Sequence, residues 1–92
     1  MTVEASFKIL NRLGLHARPA ALFVKTCRKF KSKIVIFKGD RMADAKNILQ
    51  VLALDVNQGD EIKVVIEGED EKEAYMEIEN LIKKVLPEVD RG

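Results

Sequence analysis

The chain has 92 residues, with 16 Lys and Arg against 15 Asp and Glu and a formal net charge of +1. That length suits a single domain over residues 1–92, with one small core and no enclosed cleft, and the even charge balance gives no global pull toward nucleic acid or a membrane surface. One cysteine and one histidine exclude an intramolecular disulfide and leave too few ligands for a structural zinc, so neither metal nor cofactor is expected.

No apolar run approaches the roughly 18 residues of a membrane span. The opening MTVEASFKIL lacks the basic stretch and apolar block of a secretory signal. A soluble, cytoplasmic protein with no direct membrane insertion is expected. In chain order, Val3, Ala5, Phe7 and Ile9 alternate with polar residues, the period-2 pattern of a strand with one buried face. A connection over Asn11 to Leu15 carries Gly14, and a helix is predicted from Ala17 to about Phe30. Ala20, Phe23, Cys27 and Phe30 form its inner stripe, while Arg18, Lys25, Arg28 and Lys29 lie opposite with Ala21 and Leu22. Cys27 on the inner stripe reads as inert core.

KIVIFKGDRMADA reads as a hairpin with Gly39-Asp40 as a two-residue turn. Both alternating sets of Lys33–Phe37 are apolar, so its buried face is undecided. KNILQVLALDV is a short helical pattern with Asn47 as N-cap. EIKVVIEG follows as a strand burying Ile62, Val64 and Ile66. The last helix is expected from about Glu71 to Leu86, with Ala74, Ile78, Leu81, Ile82 and Val85 inward and Pro87 ending it. The order β-α-β-β-α-β-α, with hairpin pairing and half-polar strands, indicates an α+β fold: an antiparallel sheet with helices on one face.

His16 is the candidate reactive group. It falls at the start of the first helix, where unpaired backbone N–H groups and the positive end of the dipole favour an anion. Arg18 adds a planar fork of donors suited to phosphate oxygens. Pro19 sacrifices no N–H there, and its fixed φ stiffens the turn. Both positive fields would stabilise an anionic group once it is attached to the ring nitrogen.

GLHARPAALFVK, with AKNILQVLAL, QGDEIKVVIEG and GEDEKEA, resembles the histidine-containing phosphocarrier (HPr) family of the phosphoenolpyruvate-dependent sugar phosphotransferase system, from roughly Val3 to Leu86. The resemblance implies an open-faced β-sandwich of four antiparallel strands and three helices. It implies phosphorylation of His16 on Nδ1 by phosphorylated Enzyme I and transfer onward to the A domain of a sugar-specific enzyme II. His16, Ala17 and Arg18 would hold the phosphoryl oxygens. Such a protein is a phosphoryl-transfer intermediate rather than an autonomous enzyme. Carried over by position, its docking face would use Ala21, Val24, Lys25, Arg28, Ile48, Leu49 and Leu52, although short apolar runs do not declare which face is core. At Asn47 the family commonly has a serine that some bacteria phosphorylate for regulation. Asparagine keeps the capping oxygen and cannot accept phosphate.

A second reading keeps a phosphohistidine but directs it to kinases, transcription regulators or nitrogen-linked pathways. A nucleic-acid partner is not expected: RMADA has no aromatic to stack a base.

Overall fold

A computed structural model describes residues 2–89. Strand β1 (Thr2–Lys8) leads through a loop to helix α1 (Ala17–Cys27); the hairpin β2 (Lys33–Lys38) and β3 (Arg41–Asp44) precedes α2 (Ile48–Ala53), β4 (Glu61–Glu67) and α3 (Glu71–Asn80). Helix α3 continues through a π-helical turn at Leu81–Val85 into a last short helix, α4 (Leu86–Val89). The strands form one sheet in the order β1-β4-β2-β3, and every neighbouring pair is antiparallel. The predicted α+β architecture is therefore the observed one.

The register resolves the ambiguous hairpin. Ile34 pairs with Ile66, and Ile36 pairs with Val64 and Ala43, and all five are buried. Register partners share a face, so Val35 and Phe37 lie on the sheet side away from the core. Lys38 pairs with Arg41 across Gly39-Asp40, and Gly39 supplies φ +62° where a side chain would be strained.

Three expectations are corrected. Helix α1 ends at Cys27, before Phe30, because its last bonds tighten: Lys29 N–H donates to Thr26 and Phe30 N–H to Cys27, a three-residue spacing that unwinds an α-helix. Leu22 is half-buried against the core, because α1 packs against α2, α3 and α4, so its covered sector is wider than one stripe. Pro87 does not end the final helix. Leu86 N–H reaches back five residues to Leu81 O, and this widened turn gives the proline ring room where an α-helical carbonyl would clash. The extra residue rotates the phase, so Leu86 is fully buried and Val85 is 39% exposed.

Candidate functional site

The site begins with the loop that delivers His16. Asn11 O accepts from Gly14 N–H (3.0 Å) and Leu15 N–H donates to Val56 O (2.9 Å). Gly14 has φ +68°, and a Cβ there would stand 2.1 Å from Val56 O, so only glycine lets the loop lie against the segment before β4. Asn11 is buried, and its side-chain amide donates to Leu86 O (2.7 Å), which ties the loop to the start of α4.

His16 is the N-cap of α1 with extended backbone (φ −81°, ψ −169°), and its side chain makes no capping bond. Its carbonyl accepts the first helical bond, from Ala20 N–H at 2.9 Å. Pro19 has no N–H, which leaves those of Ala17 and Arg18 outside the helical ladder. No acid stands in the first turn to neutralise them. His16 is half-buried. The imidazole is thus attached at the positive, N-terminal end of an eleven-residue helix.

Arg18 is exposed, and its Nη2 donates to Val89 O at 3.3 Å. Its guanidinium rests against the carbonyl end of α4, a partner that sequence spacing could not reveal because 71 residues separate them.

The expected docking residues divide. Ala21, Val24, Lys25, Arg28 and Ile48 line one shallow groove between α1 and α2. Val24 is 6% exposed and forms part of its floor; Arg28 is exposed, but its Nε donates to Lys46 O at 2.9 Å, pinning α1 to the loop before α2. Lys46 Nζ returns the tie to Phe30 O at 2.6 Å. On α2 the undecided face is now settled: Val51 and Leu54 are core, Ile48 is half-buried, and Leu49 and Leu52 are 75% and 37% exposed. Asn47 caps α2 as expected, its Oδ1 accepting from Gln50 N–H at 3.1 Å. The sequence reading missed Leu10 and Leu13, which are about half exposed on the loop before His16; two leucines in a polar connection were the available signal. Among the described residues no three His, Cys, Asp or Glu groups gather as a metal site, and no helix is long and apolar enough to cross a membrane.

A family model described as the PTS HPr component phosphorylation site matches residues 3–84. The chain belongs to the HPr phosphocarrier family. It is 40% identical over 86 residues to the phosphocarrier protein HPr of Treponema pallidum, covering 94% of this chain and 98% of that one. It is 38% identical over 82 residues to the HPr-like protein Crh of Halalkalibacterium halodurans, covering 89% and 98%. Among solved structures, an HPr from Thermoanaerobacter tengcongensis superposes with a TM-score of 0.86 at 44% identity, over 88% of this chain and 91% of that one. Phosphoryl carriage within the phosphotransferase system is the role that this membership supports.

Proposed function

We propose that the chain is one phosphocarrier domain that takes a phosphoryl group onto His16 from phosphorylated Enzyme I and gives it to the A domain of a sugar-specific enzyme II. The observation that carries this reading is a half-buried His16 at the N-cap position of α1, beside two N–H groups that the helix does not use. The ring nitrogen attacks the phosphorus of the donor phosphohistidine as the donor's P–N bond breaks. The N–H groups of Ala17 and Arg18 then meet the phosphoryl oxygens. Arg18, held at rest by one long bond to Val89 O, turns to the new dianion because a charge-assisted pair outweighs a neutral acceptor. The groove of Ala21, Val24, Lys25, Arg28 and Ile48, with Leu49 and Leu52 beside it, receives the partners, and its cations speed encounter with acidic surfaces. All of this takes place in the cytoplasm.

Incubation with Enzyme I and phosphoenolpyruvate, read by intact mass, tests the proposal. One acid-labile phosphoryl group that is lost in His16→Ala supports it; an unchanged mass, or a phosphate that survives His16→Ala, overturns it. Arg18→Ala should slow transfer by about tenfold or more while leaving the unfolding midpoint nearly unchanged, since it removes a charged donor at a developing anion. Binding to Enzyme I should weaken between about 0.05 and 0.5 M salt; indifference to salt would remove the basic groove from the mechanism.

The similarity to Crh, whose solved structure is described as the catabolite repression HPr of Bacillus subtilis, favours a second reading, in which phosphorylated His16 signals to regulators. Capture of acceptors by the phosphorylated and unphosphorylated protein separates the two: enzyme II A domains support transport, and kinases or transcription regulators support signalling.

A further inference from the structure

Asn11 is a buried polar side chain that the proposed chemistry leaves unused. It is 1% exposed, and its Nδ2 donates to Leu86 O at 2.7 Å across 75 residues of chain. Its Oδ1 is buried with no partner among the described residues. An amide with one half unpaired weakens a core, so stability alone does not account for this residue. Its single bond reaches α4, and the loop from which it reaches is firmly held. Gly14 N–H donates to Asn11 O (3.0 Å), Gly59 N–H to Ile9 O (2.8 Å) and Ile9 N–H to Asp60 O (2.9 Å).

Helix α4 needs such a tie. The side chain of Leu86 is fully buried, which sets the depth of α4 but not the direction of its carbonyls. Pro87 has no N–H to return to the preceding turn, so the joint with the π turn is short of one backbone bond. Asn11 supplies a bond from outside. Leu86 and Val89 begin and end α4; three residues apart, they lie on one side of the helix, and helical carbonyls point toward the C-terminal end. Asn11 holds the first of these carbonyls, and the second receives the Arg18 guanidinium at 3.3 Å.

We infer that Asn11 is a positioning residue for phosphoryl transfer, acting through α4 on Arg18; the inference rests on the carrier role proposed above. Asn11 fixes the Val89 carbonyl on which the guanidinium rests, two residues from the phosphoryl-accepting His16. Arginine has a long stem with large rotamer freedom, and a fixed acceptor removes much of it before the anion arrives. The resting bond is long and its acceptor neutral, so it yields to a phosphoryl oxygen. Without the tie, Val89 O shifts and the guanidinium samples more rotamers. More freedom must then be lost on the way to the transition state.

Single-turnover transfer from phosphorylated Enzyme I to the intact chain, followed by rapid quench over a range of Enzyme I concentrations, tests this. Asn11→Leu keeps the branched side chain and removes the donor; Asn11→Ala removes the donor without filling the site. Each should lower the saturating rate about fivefold, the scale of one lost hydrogen bond, and leave the half-saturating concentration unchanged. In an Arg18→Ala background neither should lower the rate further, whereas damage to the fold would add to the loss. Independently of Enzyme I, NMR relaxation of the Arg18 Nε–H should give a lower order parameter in both variants than in the wild-type chain. An unchanged saturating rate, a loss that persists in the Arg18→Ala background, or an unaltered order parameter overturns the inference while leaving the carrier reading intact. A wild-type chain that takes no phosphoryl group overturns both.

Discussion

Asp55 adopts φ +53°, the only described residue other than glycine with positive φ. It stands just past the C-cap of α2, where the left-handed turn spends its carbonyl on Lys38 Nζ (2.6 Å) and Asn57 Nδ2 (3.0 Å). Those bonds need only the backbone, so Asp55→Gly should keep them while removing the Cβ strain. A gain of about 0.5–1 kcal/mol by urea unfolding is expected, and a loss would mean that the carboxylate itself matters. Cys27 makes the opposite point. Burial pushes its thiol up to about 12, the nearby positive charge of Lys46 opposing and Asp44 reinforcing, so it stays protonated and unreactive at neutral pH. A thiol reagent should label it only at the rate of unfolding; rapid labelling of the native protein would contradict its burial in the core.

At the scale of elements, the last helix carries the sharpest test. A straight α-helix from Glu71 would set Val85 inward; the π turn instead buries Leu86 and exposes Val85. Leu86→Ala should therefore cost about 2–5 kcal/mol, and Val85→Ala about 0.5 kcal/mol or less; the reverse order would remove the π turn. Helix α2, only six residues long, depends on its ends in the same way. Asn47 caps its start, and the guanidinium of Arg41 donates to the carbonyls of Ala53 and Leu54 at its finish. Asn47→Ala should cost about 1 kcal/mol, measurable as a lowered urea midpoint, whereas Asn47→Ser should cost little because a hydroxyl also caps.

For the whole molecule, stability against pH is set by hydrogen-bonded carboxylates, two of which, Asp70 and Asp60, join segments far apart in the chain. Asp70 accepts from the Ser32 hydroxyl, from Lys31 N–H and from Ser32 N–H, and these bonds, the Ser32 hydroxyl foremost, hold it below its ordinary value of 3.8. Asp60 is lowered by Asn57 N–H and then Lys38, and Glu79 by the Tyr75 hydroxyl and then Lys83. Between the lowered and the ordinary values the unfolded chain binds more protons, so stability rises with pH there. The contribution is complete above the ordinary carboxylate range and is lost as pH falls through the lowered values. Urea midpoints measured against pH should show this acid limb, and Asp70→Asn should flatten it; an unchanged slope would assign the limb to other groups. Tyr75 works on the alkaline side: its bond to Glu79 raises it above 10.0, so its contribution is present below that value and lost as pH rises through the raised one.

The positions of His16, Pro19 and Asn47, the Gly39-Asp40 turn and the inward set Ile62, Val64 and Ile66 were legible in the chain because each rests on local rules: a period, a cap, a fixed φ. Sequence by itself thus determined the order of elements, the family and the candidate reactive residue. Tertiary structure alone decided which face of Lys33–Phe37 meets the core, since both are apolar and only pairing with β4 selects one. It also placed Arg18 against Val89, joined Arg28 to the Lys46 carbonyl and shifted the last helix by one residue. Those outcomes depend on contacts between segments far apart in the chain, where the winning arrangement is set by the space and hydrogen-bond partners that other elements leave open, and no local pattern encodes them.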